Sequence, residues 1–147
     1  MFEYRRNLRG DAAVPVKDFL LDETYAASAK VQDVVKLDSG KVVAAVEGDT
    51  DVLGVFVGPC IKKEKVDDTY GKVQSAEGLV FEASVSGSGT PTVGGTYGIT
   101  VDSDGNYAVT LDDTTNAAVE VVAVNENRGS DGDETTVDVK FVSLQLG

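Results

Sequence analysis

The residues of this 147-residue chain that could do chemistry are carboxylates, because histidine is wholly missing. Its absence removes the commonest general base, the Ser–His and Cys–His nucleophile pairs, and the commonest metal ligand. The single cysteine, Cys60, rules out an intramolecular disulfide. Set between Gly58-Pro59 and Ile61, it reads as a small buried hydrophobe at a strand start, not a reactive thiol. There is no tryptophan to supply a sugar-stacking platform or an interface anchor. Any enzyme here would have to work through carboxylate, lysine or tyrosine.

Three acidic constellations deserve weighing. Asp102-Ser103-Asp104-Gly105-Asn106 resembles the opening of a calcium loop, with Asp113 at position 12. A calcium loop needs glycine at position 6, however, and here it stands at position 4. Asp-Gly and Gly-Asn are also ordinary hairpin chemistry, and a turn is the expectation. Asp131-Gly132-Asp133-Glu134 brings three carboxylates together, but one short loop rarely offers the six or more oxygens calcium takes, so a solvated loop is expected. Glu82, Glu120 and Asp138 fall in expected strands. Two of them could form a carboxylate pair for glycoside hydrolysis, or all three could line a solvated sheet face. No residue is assigned to a cofactor or a metal.

Charge narrows the partners. Residues 1–72 carry a net charge of −2 and residues 73–147 a net of −10. An acidic body repels phosphate backbones and anionic membrane surfaces, so neither nucleic acid nor a membrane is an expected partner. No run approaches 18 apolar residues, and the first ten residues lack the apolar stretch of a secretory signal.

The elements that must position these groups occur twice. The first copy runs Val31-Gln-Asp-Val-Val-Lys-Leu-Asp38-Ser39-Gly40-Lys-Val-Val-Ala-Ala-Val46, then Asp49-Thr50, then Val52-Leu-Gly-Val-Phe-Val57. The second runs Val93 through Asp102-Ser103-Asp104-Gly105 to Leu111, then Asp113-Thr114, then Val119-Glu-Val-Val-Ala-Val124. Each reads as a three-strand meander, and two meanders can cover each other where one cannot bury both faces. Asp38-Ser39-Gly40 fits a three-residue hairpin with glycine at the left-handed position. Val52–Val57 reads as a strand buried on both faces, with Gly54 at a bulge or close approach. Val137, Val139 and Phe141 alternate with Asp138 and Lys140, a period of two. The expectation is an all-β fold, a small antiparallel barrel or sandwich with nine or ten strands and at most one short helix. Residues 19–147 form its single domain. Within them, 19–30 could begin as a strand or a short helix.

Residues 1–18 look different, and an extended N-terminal arm is expected. Phe2, Tyr4 and Leu8 are interspersed with Arg5, Arg6 and Arg9, and Pro15 interrupts any continuous element. Arginine and aromatic residues are enriched at interface anchors, so these six are the candidate partner-binding residues; a frayed terminus is the plain alternative.

Val34-Val-Lys-Leu-Asp-Ser-Gly-Lys-Val-Val43, Val52-Leu-Gly-Val-Phe-Val57 and the closing Val137-Asp-Val-Lys-Phe-Val142 carry a family resemblance. Together with the size, the absence of His and Trp and the Gly/Thr/Val/Ala-rich body, the chain resembles the head decoration (cement) proteins of tailed bacteriophages. The resemblance implies a β-barrel core on the capsid exterior, with the arm laid on the major capsid protein and homotrimers at three-fold positions. It implies synthesis in the host cytoplasm and brings no catalytic residues or cofactor. A carbohydrate- or cell-surface-binding β-sandwich module, or another tail or fibre domain of a virion, is the alternative. That reading needs an aromatic platform, for which Tyr70, Tyr97 and Tyr107 are the candidates, the last two facing each other across the Asp102–Gly105 hairpin. A carboxylate hydrolase is the third class.

Overall fold

The computed structural model describes residues 1–7, 16–63, 68–128 and 131–145. More than half of them lie in strands: β1 (Phe2–Asn7), β2 (Val16–Leu20), β3 (Val34–Asp38), β4 (Lys41–Ala44), β5 (Asp51–Val52), β6 (Gly54–Lys62), β7 (Thr69–Ser75), β8 (Leu79–Ser86), β9 (Thr96–Val101), β10 (Tyr107–Thr110), β11 (Val119–Arg128), β12 (Glu134–Phe141) and β13 (Ser143–Leu144). The one helix described, α1 (Glu23–Ala26), is a single turn. Asp22 caps it, its carboxylate accepting from the Thr24 and Tyr25 amides. The all-β expectation holds, with more and shorter strands than the turns announce.

The duplication goes further than three strands. In the first half β2 pairs with β7, β7 with β6, β6 with β3 and β3 with β4, all antiparallel. A parallel bridge between Leu21 and Val42 then ties β4 back to the end of β2. In the second half β8 pairs with β12, β12 with β11, β11 with β9 and β9 with β10, again antiparallel. A parallel pairing of Val85 with Val109 closes β10 onto β8. Strand for strand the two rings have the same connections and the same single parallel closure. The chain is two copies of one five-stranded barrel, and closing each ring removes most of its exposed edge.

Two details of the meander reading change. In each trio the third strand pairs with the first, not the second, so β3 and β9 are central. The loops Ala45–Thr50 and Leu111–Ala118 are too long for tight hairpins and carry the chain across the barrel end instead. The hairpin of the first trio also has a two-residue turn. Asp38 faces Lys41, and Ser39 and Gly40 sit at φ of 53° and 80°. Two consecutive left-handed residues define a type I′ turn, whose twist matches that of the strands.

Alternation divides the core in two. Val34, Val52 and Val55 point into a large cluster with Phe81, Ile99, Val109, Val119, Val137 and Val139. Their neighbours Val35, Leu53 and Phe56 point into a smaller one with Leu21, Tyr25, Val42 and Val73. The wall formed by β3, β5 and β6 is therefore covered on both sides, which is why Val52–Val57 is a nearly unbroken apolar run. Gly54 lies against β7, where a β-carbon would stand 2.0 Å from the Gln74 carbonyl oxygen. Along β12, Val137, Val139 and Phe141 are all buried, as the period of two requires.

Cys60 is exposed, contrary to expectation. The β6–β7 register slips between Phe56 and Cys60, and from there β6 extends past the core with its side chains in solvent.

Candidate functional site

The expected arm is not an arm over its first residues. Residues 2–7 form β1, which pairs antiparallel with β8, Phe2 opposite Ala83 and Tyr4 opposite Phe81. Phe2 is 1% exposed and stacks on Phe141. Tyr4 meets the edge of Phe81, with ring centroids 6.5 Å apart. The Met1 amine donates to the Tyr107 carbonyl oxygen, so β1 and β10 lie end to end along one edge of β8. Burial decides this placement. A phenylalanine two residues from a chain end has no period, but a pocket left open beside β8 takes it. The boundary at residue 18 shifts as well, since β2 begins at Val16 and pairs along β7.

Of the six candidate partner-binding residues, Phe2 and Tyr4 therefore face inward. Arg5 faces out, but its guanidinium lies 3.8 Å from Glu82 and 3.8 Å from Asp138. The backbone of Arg6 pairs with Val80. Leu8 and Arg9 lie outside the described residues.

Two of the three strand carboxylates do come together. Glu82 and Asp138 are cross-strand neighbours on the outer face of the second barrel. Thr136 Oγ1 donates to Glu82 at 2.6 Å, and the Asn125 side-chain amide reaches Asp138 at 2.9 Å. Arg128 approaches Glu82 at 3.5 Å from the far end of β11. Glu82 is 8% exposed, so this is a polar clamp fastening β1 and the end of β11 to the barrel. Both carboxylates are covered by arginine, where a glycosidase needs one of them open to a sugar ring. Glu120 stands apart, paired with Lys140 at 3.1 Å.

The two loop candidates resolve differently. Asp102 accepts from the Asp104 and Asn106 amides, each at 2.9 Å, and Gly105 takes φ of 80°. Those hydrogen bonds, the Asn106 amide first, hold the Asp102 carboxyl below the usual carboxylate range. Asp113 does the same for Thr115 and Asn116. Positions 1 and 12 of the calcium-loop likeness thus serve their own turns. Asp131–Glu134 is exposed throughout.

The candidate tyrosine platform is not assembled. Tyr107 pairs opposite Val101, so Tyr97 does not face it, and both rings are largely buried. Tyr70 lies under the Lys63 ammonium, 5.0 Å from the ring centre.

Sequence reasoning missed the region between the barrels. Tyr107 crosses from the second barrel to donate to the Ala45 carbonyl oxygen at 2.6 Å. Lys30 Nζ reaches the other way, to the Asp104 carbonyl at 3.2 Å and Asn106 Oδ1 at 3.0 Å. Glu47 accepts from the Thr100 hydroxyl at 3.2 Å. At the base sits Asp33, whose Oδ2 accepts from the Tyr25 hydroxyl at 2.8 Å and the Lys30 amide at 2.9 Å. Burial raises the Asp33 carboxyl above its ordinary range, against the opposing pull of those two hydrogen bonds. The Tyr25 phenol is pushed up by the same burial and by the neighbouring carboxylate. The only sequence signal was an aspartate just before Val34-Val35, which reads like any turn residue.

Fold and site together define an all-β protein of two fused five-stranded barrels, with a cleft at the seam that has a buried carboxylate at its base. Compared with known proteins, the chain matches no family model, no curated protein and no solved structure.

Proposed function

We propose that this chain is a structural protein of a tailed-bacteriophage virion, bound to the outer surface of the capsid and stabilising it. The observation that carries the reading is the position of β1. It terminates its six-stranded sheet and, among the described residues, pairs with β8 alone. An edge strand offers a row of backbone donors and acceptors to a strand of a partner. The partner would be the major capsid protein, with Arg6, Leu8 and Arg9 at or just beyond the end of β1. Docking then uses the edge of β1 and the residues that follow it, with Phe2 and Tyr4 bracing that edge from behind instead of filling pockets on the partner.

The family resemblance supports homotrimers at three-fold positions. A ligand that binds only the expanded capsid stabilises it by mass action, and many identical sites add avidity. The acidic second half favours a partner surface carrying positive charge.

Co-sedimentation tests the reading. Capsids assembled from the major capsid protein of the genome that encodes this chain should retain the full chain when expanded. Substituting Leu8→Asp together with Arg9→Glu should weaken retention. Absence of retention on both expanded and unexpanded capsids, at saturating protein, would sink the proposal.

A further inference from the structure

The seam between the barrels encloses a cleft of about 470 Å³, lined among others by Tyr25, Asp33, Val46, Glu47 and Tyr107. Asp33 is 5% exposed and also borders an adjoining hollow of about 320 Å³. Among the described residues both hydrogen bonds to its carboxylate fall on Oδ2, which leaves Oδ1 as the acceptor for an incoming group. The walls above it are apolar, from Ala44, Ala45 and Val46, and Glu47 adds a second carboxylate. Lys30, which also lines the cleft, has its ammonium drawn to Asp104 and Asn106. Both tyrosine hydroxyls are engaged, Tyr25 with Asp33 and Tyr107 with Ala45, so their rings serve as wall.

The neighbouring cation, the Lys30 ammonium, attracts this carboxylate but is itself held by Asp104 and Asn106, and buried charges are stable when directly paired and hydrogen-bonded. Apolar walls favour a stem of a few methylenes, and aromatic faces favour a cation over a neutral group. We infer that this cleft binds a primary ammonium or guanidinium carried on a short aliphatic stem, the cation donating to Asp33 Oδ1 and the stem lying against Val46 and the tyrosine rings. Such a group belongs either to a lysine or arginine side chain of a partner protein or to a free aliphatic amine. The inference stands whether or not the chain decorates a capsid.

Amide chemical shifts of the full-length protein test it, with n-butylammonium, neutral n-butanol and the peptide acetyl-Gly-Lys-Gly-amide as probes. Butylammonium should give saturable shifts at Tyr25, Lys30, Asp33 and Tyr107, with a dissociation constant on the order of 1–10 mM for so small a ligand. Butanol should bind at least about tenfold more weakly, the loss expected when a desolvated charge goes unpaired. Asp33→Asn keeps the acceptor for Tyr25 and Lys30 but removes the charge, and should weaken butylammonium by a similar factor. Val46 is 55% exposed, so Val46→Trp can narrow the mouth without touching Asp33 or the core, and it should also lower affinity. If Asp33→Asn fails to fold, the Val46→Trp and butanol arms decide. Tighter binding of the peptide assigns the cation to a protein side chain, and tighter binding of butylammonium assigns it to a free amine. Equal binding of butanol and butylammonium, undiminished binding by Val46→Trp or by folded Asp33→Asn, or no saturable shift overturns the inference.

Discussion

The rings of Phe2 and Phe141 are stacked, their centroids 5.5 Å apart and their planes inclined by 28°. Phe141 in turn meets Phe81 edge-on at 5.7 Å, and Phe81 meets Tyr4. The four rings join the first strand of the chain to β8 and β12. A segment whose sequence suggests a detachable arm is thereby built into the larger core.

Truncating Phe2 should therefore behave as a core mutation. Phe2→Ala is expected to cost about 3–5 kcal/mol and to lower the melting temperature by roughly 10 °C for a chain of this size. Calorimetry measures it directly. A melting temperature within a degree or two of the parent would return residues 1–7 to the status of a frayed end.

Gly54→Ala should destabilise through the backbone. Its β-carbon would overlap the Gln74 carbonyl oxygen of the paired strand, and neither strand can move without disturbing both cores. A loss of about 3 kcal/mol or more is expected from such overpacking. Gly132→Ala is the control, because nothing lies within 4 Å of its β-carbon and only its positive φ of 70° is penalised. That strain is worth about 1–2 kcal/mol. Denaturant titration showing equal losses at the two sites would contradict the close approach.

Tyr107→Phe should loosen the seam. It deletes the hydroxyl that satisfies the Ala45 carbonyl oxygen, and a buried acceptor left without its donor costs about 1–3 kcal/mol. The exposed Lys30→Ala change should cost less, about 0–1 kcal/mol. Native-state hydrogen exchange should show the Tyr107 effect around Ala45 and Asn106. The expectation fails if Lys30→Ala is the more damaging of the two.

Asp33 should leave a signature in the pH dependence of stability. Its folded carboxyl titrates above the unfolded value of 3.8, so the folded state holds the proton more tightly. The stabilisation linked to that proton is fully present below the unfolded pKa and is lost as pH rises through the folded one. Asp33→Asn cannot titrate, so its melting temperature relative to the parent should become more favourable as pH rises above the unfolded value of 3.8. The depressed Asp102 and Asp113 act oppositely, losing their contribution as pH falls below the unfolded value, but they are present in both proteins and cancel. A difference independent of pH would mean that Asp33 titrates normally.

What the residues determine by themselves is the local order. Alternation in Val137–Phe141, the apolar run Val52–Val57, the left-handed glycine Gly40 of the first hairpin and the turns at Asp102 and Asp113 depend on neighbours a few positions away, and each is legible along the chain. The duplicated pattern was visible for the same reason, though only over three strands. Tertiary structure decided the rest. β2 and β7 resemble β8 and β12 only in their pairing, because a closing strand is chosen by the ring it must complete and not by its own spelling. Glu82 and Asp138 are 56 positions apart, and Lys30 and Asn106 are joined at |i−j| = 76, so no spacing rule could bring them together. Phe2 and Asp33 show it most plainly. One looked like a free anchor and the other like a turn residue, and only the walls that distant strands raise around them made the first a core ring and the second a buried carboxylate.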